Sequence, residues 1–130
     1  MKMPALTPDI EPIMLEAELQ TLQIYLQRAA VIVIDMQNAF ASKGGMVDLM
    51  GLDISENLKA AKVIKKIISA SRTRGVSVIY VVHYYSTDLR ETGGPNSGGW
   101  HNAHVRGIRE NPEWRDKAII RDTWGAGKTA

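Results

Sequence analysis

Few residues in this chain could carry chemistry, and their positions are informative. Asp35 closes the apolar run AAVIVI at 29–34. A carboxylate at the end of a buried strand loses hydration, which raises its pKa and makes it usable as a general base. The same carboxylate could instead accept backbone N–H bonds and cap a loop. His83 ends a second apolar run, VSVIYVV at 76–82, and could be an acid, a base, a polar pocket group or a plain strand-end histidine. His101 and His104 stand three apart. An H-x-x-H pair with no third ligand nearby is a poor metal site, so none is expected. GGPNSGGW at 93–100 is turn-forming by composition and could also serve as a lid, with Asn96, Ser97 and Trp100 at its tip.

Two further readings fail on spacing or composition. GAGKT at 125–129 lacks the first glycine of a phosphate loop, because Asp122 stands where that glycine belongs. The 130 residues contain no cysteine. Disulfides, thiolate metal sites and a thiol nucleophile from this chain are thereby excluded.

The elements that must position these residues follow from apolar patterning. Residues 13–28 place Leu15, Leu19, Leu22 and Leu26 at helical spacing, which predicts an amphipathic helix. It would lie on the domain's own core or against another subunit. The unbroken runs ending at Asp35 and His83 predict parallel strands covered on both faces. Between them Gly44, Gly45 and Gly51 mark a linker, and a helix begins near Asp53. Asp53 and Glu56 have capping-box spacing. Ile54, Leu58, Ala61, Ile64 and Ile68 form the helix's buried stripe, and Lys59, Lys62, Lys65 and Lys66 its wet face. Gly75 suits the position after the helix end. Strand, helix and strand make a βαβ unit, which brings Asp35 and His83 to one sheet edge, where open α/β sheets bind ligands. Residues 118–120 suggest a short strand, and Trp114 and Trp124 suggest packing anchors.

Length and charge limit the class. A chain of 130 residues fits one domain with one core. The net charge of +2 is too small to argue for nucleic acid. No stretch approaches ~18 uninterrupted apolar residues, so no membrane span is expected. The Pro-rich start, MKMPALTPDIEP, reads as extended and unlike a secretory leader, and a cytoplasmic protein is expected. No Gly-x-Gly-x-x-Gly follows the first strand, which argues against a nucleotide-binding Rossmann fold.

VIVIDMQNAF at 31–40 resembles the first strand of the isochorismatase-like cysteine hydrolases. The stretch 93–126, from GGPNSGGW to DTWGA, is similar to their ureidoacrylate amidohydrolase branch, which acts on small ureido or carbamoyl amides. The resemblance implies an α/β fold, a three-layer sandwich around a mostly parallel sheet, and no cofactor. It implies an Asp-Lys-Cys mechanism with Asp35 as base. It places Glu91, Asn96, Ser97 and His83 around the substrate. The family's Lys-x-Arg-Tyr-Ser and Thr-x-x-Cys contexts are absent. The Asp-x-His of nicotinamidase-type metal sites is absent too, since Leu89 and Arg90 follow Asp88. Residues 29–126 therefore read as the N-terminal part of such a domain, after an extension at 1–28 and before an unrelated tail at 127–130, as a truncated, frameshifted or split gene would produce. Two core strands leave a sheet edge and an apolar face uncovered. The expectation is an amidohydrolase lineage, inactive as this chain alone, that self-associates or needs a second chain to complete the fold. The alternative is a non-catalytic fragment or partner subunit acting through self-association.

Overall fold

The structure, a computed structural model, describes residues 11–127. Most of the Pro-rich start, and the tail at 128–130 with Lys128, lie outside the described residues.

The helix expected at 13–28 does not form. Strands β1 (Ile13–Leu15) and β2 (Leu22–Ile24) pair antiparallel, Ile13 opposite Ile24 and Leu15 opposite Leu22. A 3-10 turn, Leu26–Arg28, follows. Leu19, at the hairpin turn, is fully exposed and has a left-handed backbone, φ 75°. The physical reason lies in packing. A short amphipathic helix is stabilised mainly by burying its apolar face, and among the described residues Leu15, Leu19 and Leu22 stay exposed. The β-branched and aromatic residues Ile13, Thr21, Ile24 and Tyr25 then favour extended pairing.

The βαβ unit is present. β3 (Ala30–Ile34) and β4 (Ser77–Val81) run parallel, with Ala30 beside Ser77 and Ile34 beside Val81. Between β3 and the long helix, the stretch read as a linker holds two one-turn helices, α1 (Asn38–Ala41) and α2 (Met46–Leu49). The long helix, α3 (Ser55–Thr73), packs on both strands. Its cap differs from the expected box. Asp53 accepts hydrogen bonds from the Ser55 amide at 2.8 Å and the Ser55 hydroxyl at 2.9 Å, while Glu56 pairs with Lys59 at 2.7 Å. Leu58, Ala61, Ile64 and Ile68 are half-buried, and the four lysines are exposed. The helix ends in a Schellman motif. Val76 N–H reaches Ser71 O, Gly75 N–H reaches Arg72 O, and Gly75 takes φ 69°.

The strands are not covered on both faces. Val33 is buried toward α3, and Tyr80 on that same face meets Arg72 of the helix at 3.4 Å. Partners in a parallel register point the same way, so Ile32, Ile34, Ile79 and Val81 share the opposite face. They are 57%, 62%, 48% and 44% exposed. An unbroken apolar run signals that both sides want cover, and here only one side receives it.

The core lies beyond the C-terminal end of the strands. Ala39, Met46, Ile108, Ala118, Ile119 and Ile120 are buried together, with Phe40, Met50, Tyr85, Leu89 and Trp114 packed around them. Ile108 comes from α4 (Ala103–Glu110), whose N-cap Asn102 accepts from the His104 amide at 2.9 Å. Residues 118–120 run beside the chain after β4 through one parallel bridge, Tyr85 to Ile120. Trp114 is a packing anchor, whereas Trp124 is 40% exposed and carries the Lys117 ammonium 4.8 Å over its ring.

Candidate active site

Asp35 follows β3 directly. Its amide donates to Val81 O at 2.9 Å, adding one bond to the parallel ladder, and its backbone then turns left-handed, φ 53°. A non-glycine residue rarely takes this conformation unless its surroundings impose it. The turn is held by Gln37, whose amide donates to Asp35 O at 2.8 Å. The Asp35 side chain is exposed, so the burial expected at this strand end is not met. It borders an open cavity of about 220 Å³, together with Met36, Phe40, Ala41 and Asn57. Asn57 comes from the first turn of α3, and its Nδ2 donates to Phe40 O at 2.8 Å. The cavity therefore combines one carboxylate, one amide and an aromatic wall, a set suited to a small polar ligand.

Gln37 is the residue that reading the sequence missed. Its side chain is 4% exposed. Nε2 donates to His83 O at 2.9 Å and to Ala126 O at 2.7 Å, and Oε1 accepts from His83 N–H at 2.9 Å. One amide thus joins the ends of β3 and β4 to the last described segment. Asn38 Nδ2 adds a bond to Trp124 O at 2.8 Å, and Ala39 N–H one to Gly125 O at 2.8 Å. Two amide side chains directly after an apolar strand were the available signal, because a polar group that is buried must find partners.

His83 lies at the same sheet end as Asp35, as expected, and its ring is exposed. It stands edge-on to Tyr85, with centroids 5.0 Å apart. His104 stands edge-on to Phe40 at 5.3 Å, and its Nδ1 is buried with no hydrogen-bond partner among the described residues. Burial, and secondarily the charge of His83, push the His104 pKa down. The two ring pairs, His83 with Tyr85 and His104 with Phe40, are separate, and Phe40 carries the second to the cavity wall. His101 is turned away, its Nε2 2.8 Å from Pro95 O. Among the described residues no three His, Cys, Asp or Glu side chains converge as metal ligands.

Glu91, Asn96 and Ser97 do not line the Asp35 cavity. The Glu91 carboxylate accepts from the Ser86 hydroxyl at 2.5 Å and the Ser86 amide at 3.1 Å. These bonds, the hydroxyl's foremost, hold its carboxyl below the usual carboxylate range. The Ser97 hydroxyl donates to Thr92 O and accepts from the Trp100 amide at 3.2 Å, which folds the 93–100 loop on itself. Asn96 is exposed at the loop's tip.

A parallel βαβ unit with an acidic residue directly after its first strand defines an α/β protein with its candidate site at the C-terminal ends of the strands. Residues 29–127 match the Isochorismatase domain, and the chain belongs to that family. It is similar to ureidoacrylate amidohydrolase RutB of Azorhizobium caulinodans, 38% identical over 112 residues, which are 85% of this chain and 49% of that protein. RutB of Agrobacterium fabrum is 42% identical over 96 residues, 73% of this chain and 42% of the relative. RutB of Caulobacter vibrioides is 39% identical over 113 residues, 86% and 48%. The chain spans about half the length of these curated relatives. No helix among the described residues is long and apolar enough to cross a membrane.

Proposed function

We propose that this chain carries the base-bearing part of a C–N hydrolase site acting on a small ureido or carbamoyl amide, without a cofactor. The observation that supports this reading is Asp35, held at the end of β3 beside a cavity walled by Phe40 and Asn57. In the reaction Asp35 accepts the proton of a thiol, and the thiolate attacks the amide carbonyl. Backbone N–H groups stabilise the tetrahedral oxyanion. The amine or ammonia departs with a proton, and water then cleaves the thioester to the acid and the free thiol. His83 and the loop bearing Glu91, Asn96 and Ser97 serve the substrate side. The thiol must come from outside these 130 residues, which contain no cysteine, and so must the lysine that balances its charge if it stands in the Lys-x-Arg-Tyr-Ser context absent here. The part that bears them is further sequence of the same protein or a second chain, with self-association of this chain a separate property, and we place the protein in the cytoplasm, with no nucleic acid or membrane partner.

Ammonia release from a ureidoacrylate-type amide tests this reading. The purified chain is expected to be silent, because removing the nucleophile from such a constellation costs many orders of magnitude in rate. Turnover by the chain alone that disappears in Asp35→Ala would overturn it.

The bare apolar sheet face favours a second reading, in which the chain is a non-catalytic module that acts by self-association. A monodisperse monomer in light scattering would reject it.

A further inference from the structure

We propose that Asn57 determines specificity in the Asp35 cavity, its side-chain oxygen accepting a hydrogen bond from the terminal amino group of a ureido or carbamoyl ligand. The inference rests on the hydrolase reading above and deepens it. Three observations support it. First, Asn57 and Asp35 line the same cavity of about 220 Å³, and the remaining lining residues, Met36, Phe40 and Ala41, bring apolar side chains. Second, the orientation of the Asn57 amide is fixed, because Nδ2 donates to Phe40 O at 2.8 Å. The flipped amide would set two acceptor oxygens against each other. Third, Oδ1 accepts from no group among the described residues and is not buried. It is a free acceptor in a cavity that also holds a carboxylate.

The amide stands between two supported elements. Asp53 takes the Ser55 amide and hydroxyl, which fixes the start of α3 two residues before Asn57. Phe40 lies in α1, and its own amide donates to Gln37 O at 3.0 Å. The acceptor is thus oriented before any ligand arrives, and little ordering is left to binding. Ureido chemistry matches such a pair of acceptors. The group carries several N–H donors around a single carbonyl, whereas an ionised carboxylate and an amide oxygen only accept. A ligand with a methyl group in place of the terminal amino group leaves Oδ1 without a donor.

The test is a nuclear magnetic resonance titration of the full chain with two probes, 3-ureidopropionate and N-acetyl-β-alanine, which differ only in that terminal amino or methyl group. The amide signals of Asp35, Phe40 and Asn57 are expected to shift saturably with the ureido probe. That probe is expected to bind about tenfold more tightly than the acetyl probe, the worth of one hydrogen bond. In Asn57→Leu the preference is expected to shrink to about twofold or less, since both probes then meet an apolar group. A merely structural role for Asn57 would weaken both probes alike and leave their ratio unchanged, which would overturn the proposal. So would equal binding of the two probes by the parent chain, or no saturable shift with either, and neither of these results needs a variant that folds. The hydrolase reading fails on a different measurement, Asp35-dependent ammonia release by the chain alone. Such release together with an Asn57-dependent preference would reject that reading and keep the contact, while a lost preference without release would do the reverse.

Discussion

Gln37 grips His83 by both of its backbone polar atoms, donating to the carbonyl and accepting from the amide, each at 2.9 Å. The same Nε2 also donates to Ala126 O. The ends of two strands and a segment 89 residues downstream thus depend on one buried side chain. In Gln37→Leu the volume is nearly kept and three backbone groups lose their partners. An unsatisfied buried polar group costs about 1–3 kcal/mol, and partial access of water reduces the sum. We expect a loss of about 2–4 kcal/mol in urea unfolding, within the range for broken buried networks. A loss under about 0.5 kcal/mol, the level of an ordinary surface change, would contradict the role given to Gln37.

Asp35 has a left-handed backbone, which Asp and Asn tolerate and β-branched residues do not. Asp35→Asn should therefore stay within about 0.5 kcal/mol of the parent, while Asp35→Val should lose about 1–2 kcal/mol. Equal stability of the two variants in chemical denaturation would show that the turn at this residue is not held as described. Since Asn also removes the base, the pair separates the geometric role of position 35 from its chemical one.

Gly125 is needed for lack of space. A Cβ there would overlap the carbonyl carbon of Lys117 and the carbonyl oxygen of Ala118, both main-chain atoms. Gly125 also accepts from the Ala39 amide and donates to Asp116 O at 2.7 Å. Gly107 is the contrast, because its Cβ would meet the terminal methyl of Met46 at 2.8 Å, which can swing aside. We expect Gly125→Ala to lose at least about 3 kcal/mol or fail to fold, and Gly107→Ala to lose about 1 kcal/mol. Thermal melts followed by circular dichroism rank the two directly, and the reverse order would refute the packing described around residues 117–125.

His104 should make stability depend on pH. Its pKa is lowered in the folded chain, chiefly by burial, so the unfolded chain binds the proton more tightly. Its stabilising contribution is then complete above the ordinary histidine value of about 6.5 and declines as the pH falls below that toward the folded value. The melting temperature is expected to drop between pH 7.5 and 5 in the parent and to drop less in His104→Phe, which also removes the unpartnered Nδ1. The same drop in both proteins would assign the pH dependence to other groups.

What was legible in the sequence, and what was not, follows from the range of the forces involved. β3, α3 and β4 could be read because run length, the lysine face and Gly75 are local signals, and all three act as expected. Asp35 and His83 could be placed at one sheet end because the βαβ connection dictates it. The hairpin at Ile13–Ile24 was misread because leucine spacing alone cannot report whether anything lies beneath the leucines. Gln37 was missed because its partners, His83 and Ala126, are 46 and 89 residues away. The expectation of a fully covered sheet failed for the same long-range reason, since the apolar run records the need for cover and not its supply.

The wet isoleucines of the β3–β4 pair make this polypeptide prone to clump as its concentration rises. An unpaired strand rim with an oily flank recruits whatever extended chain reaches it first.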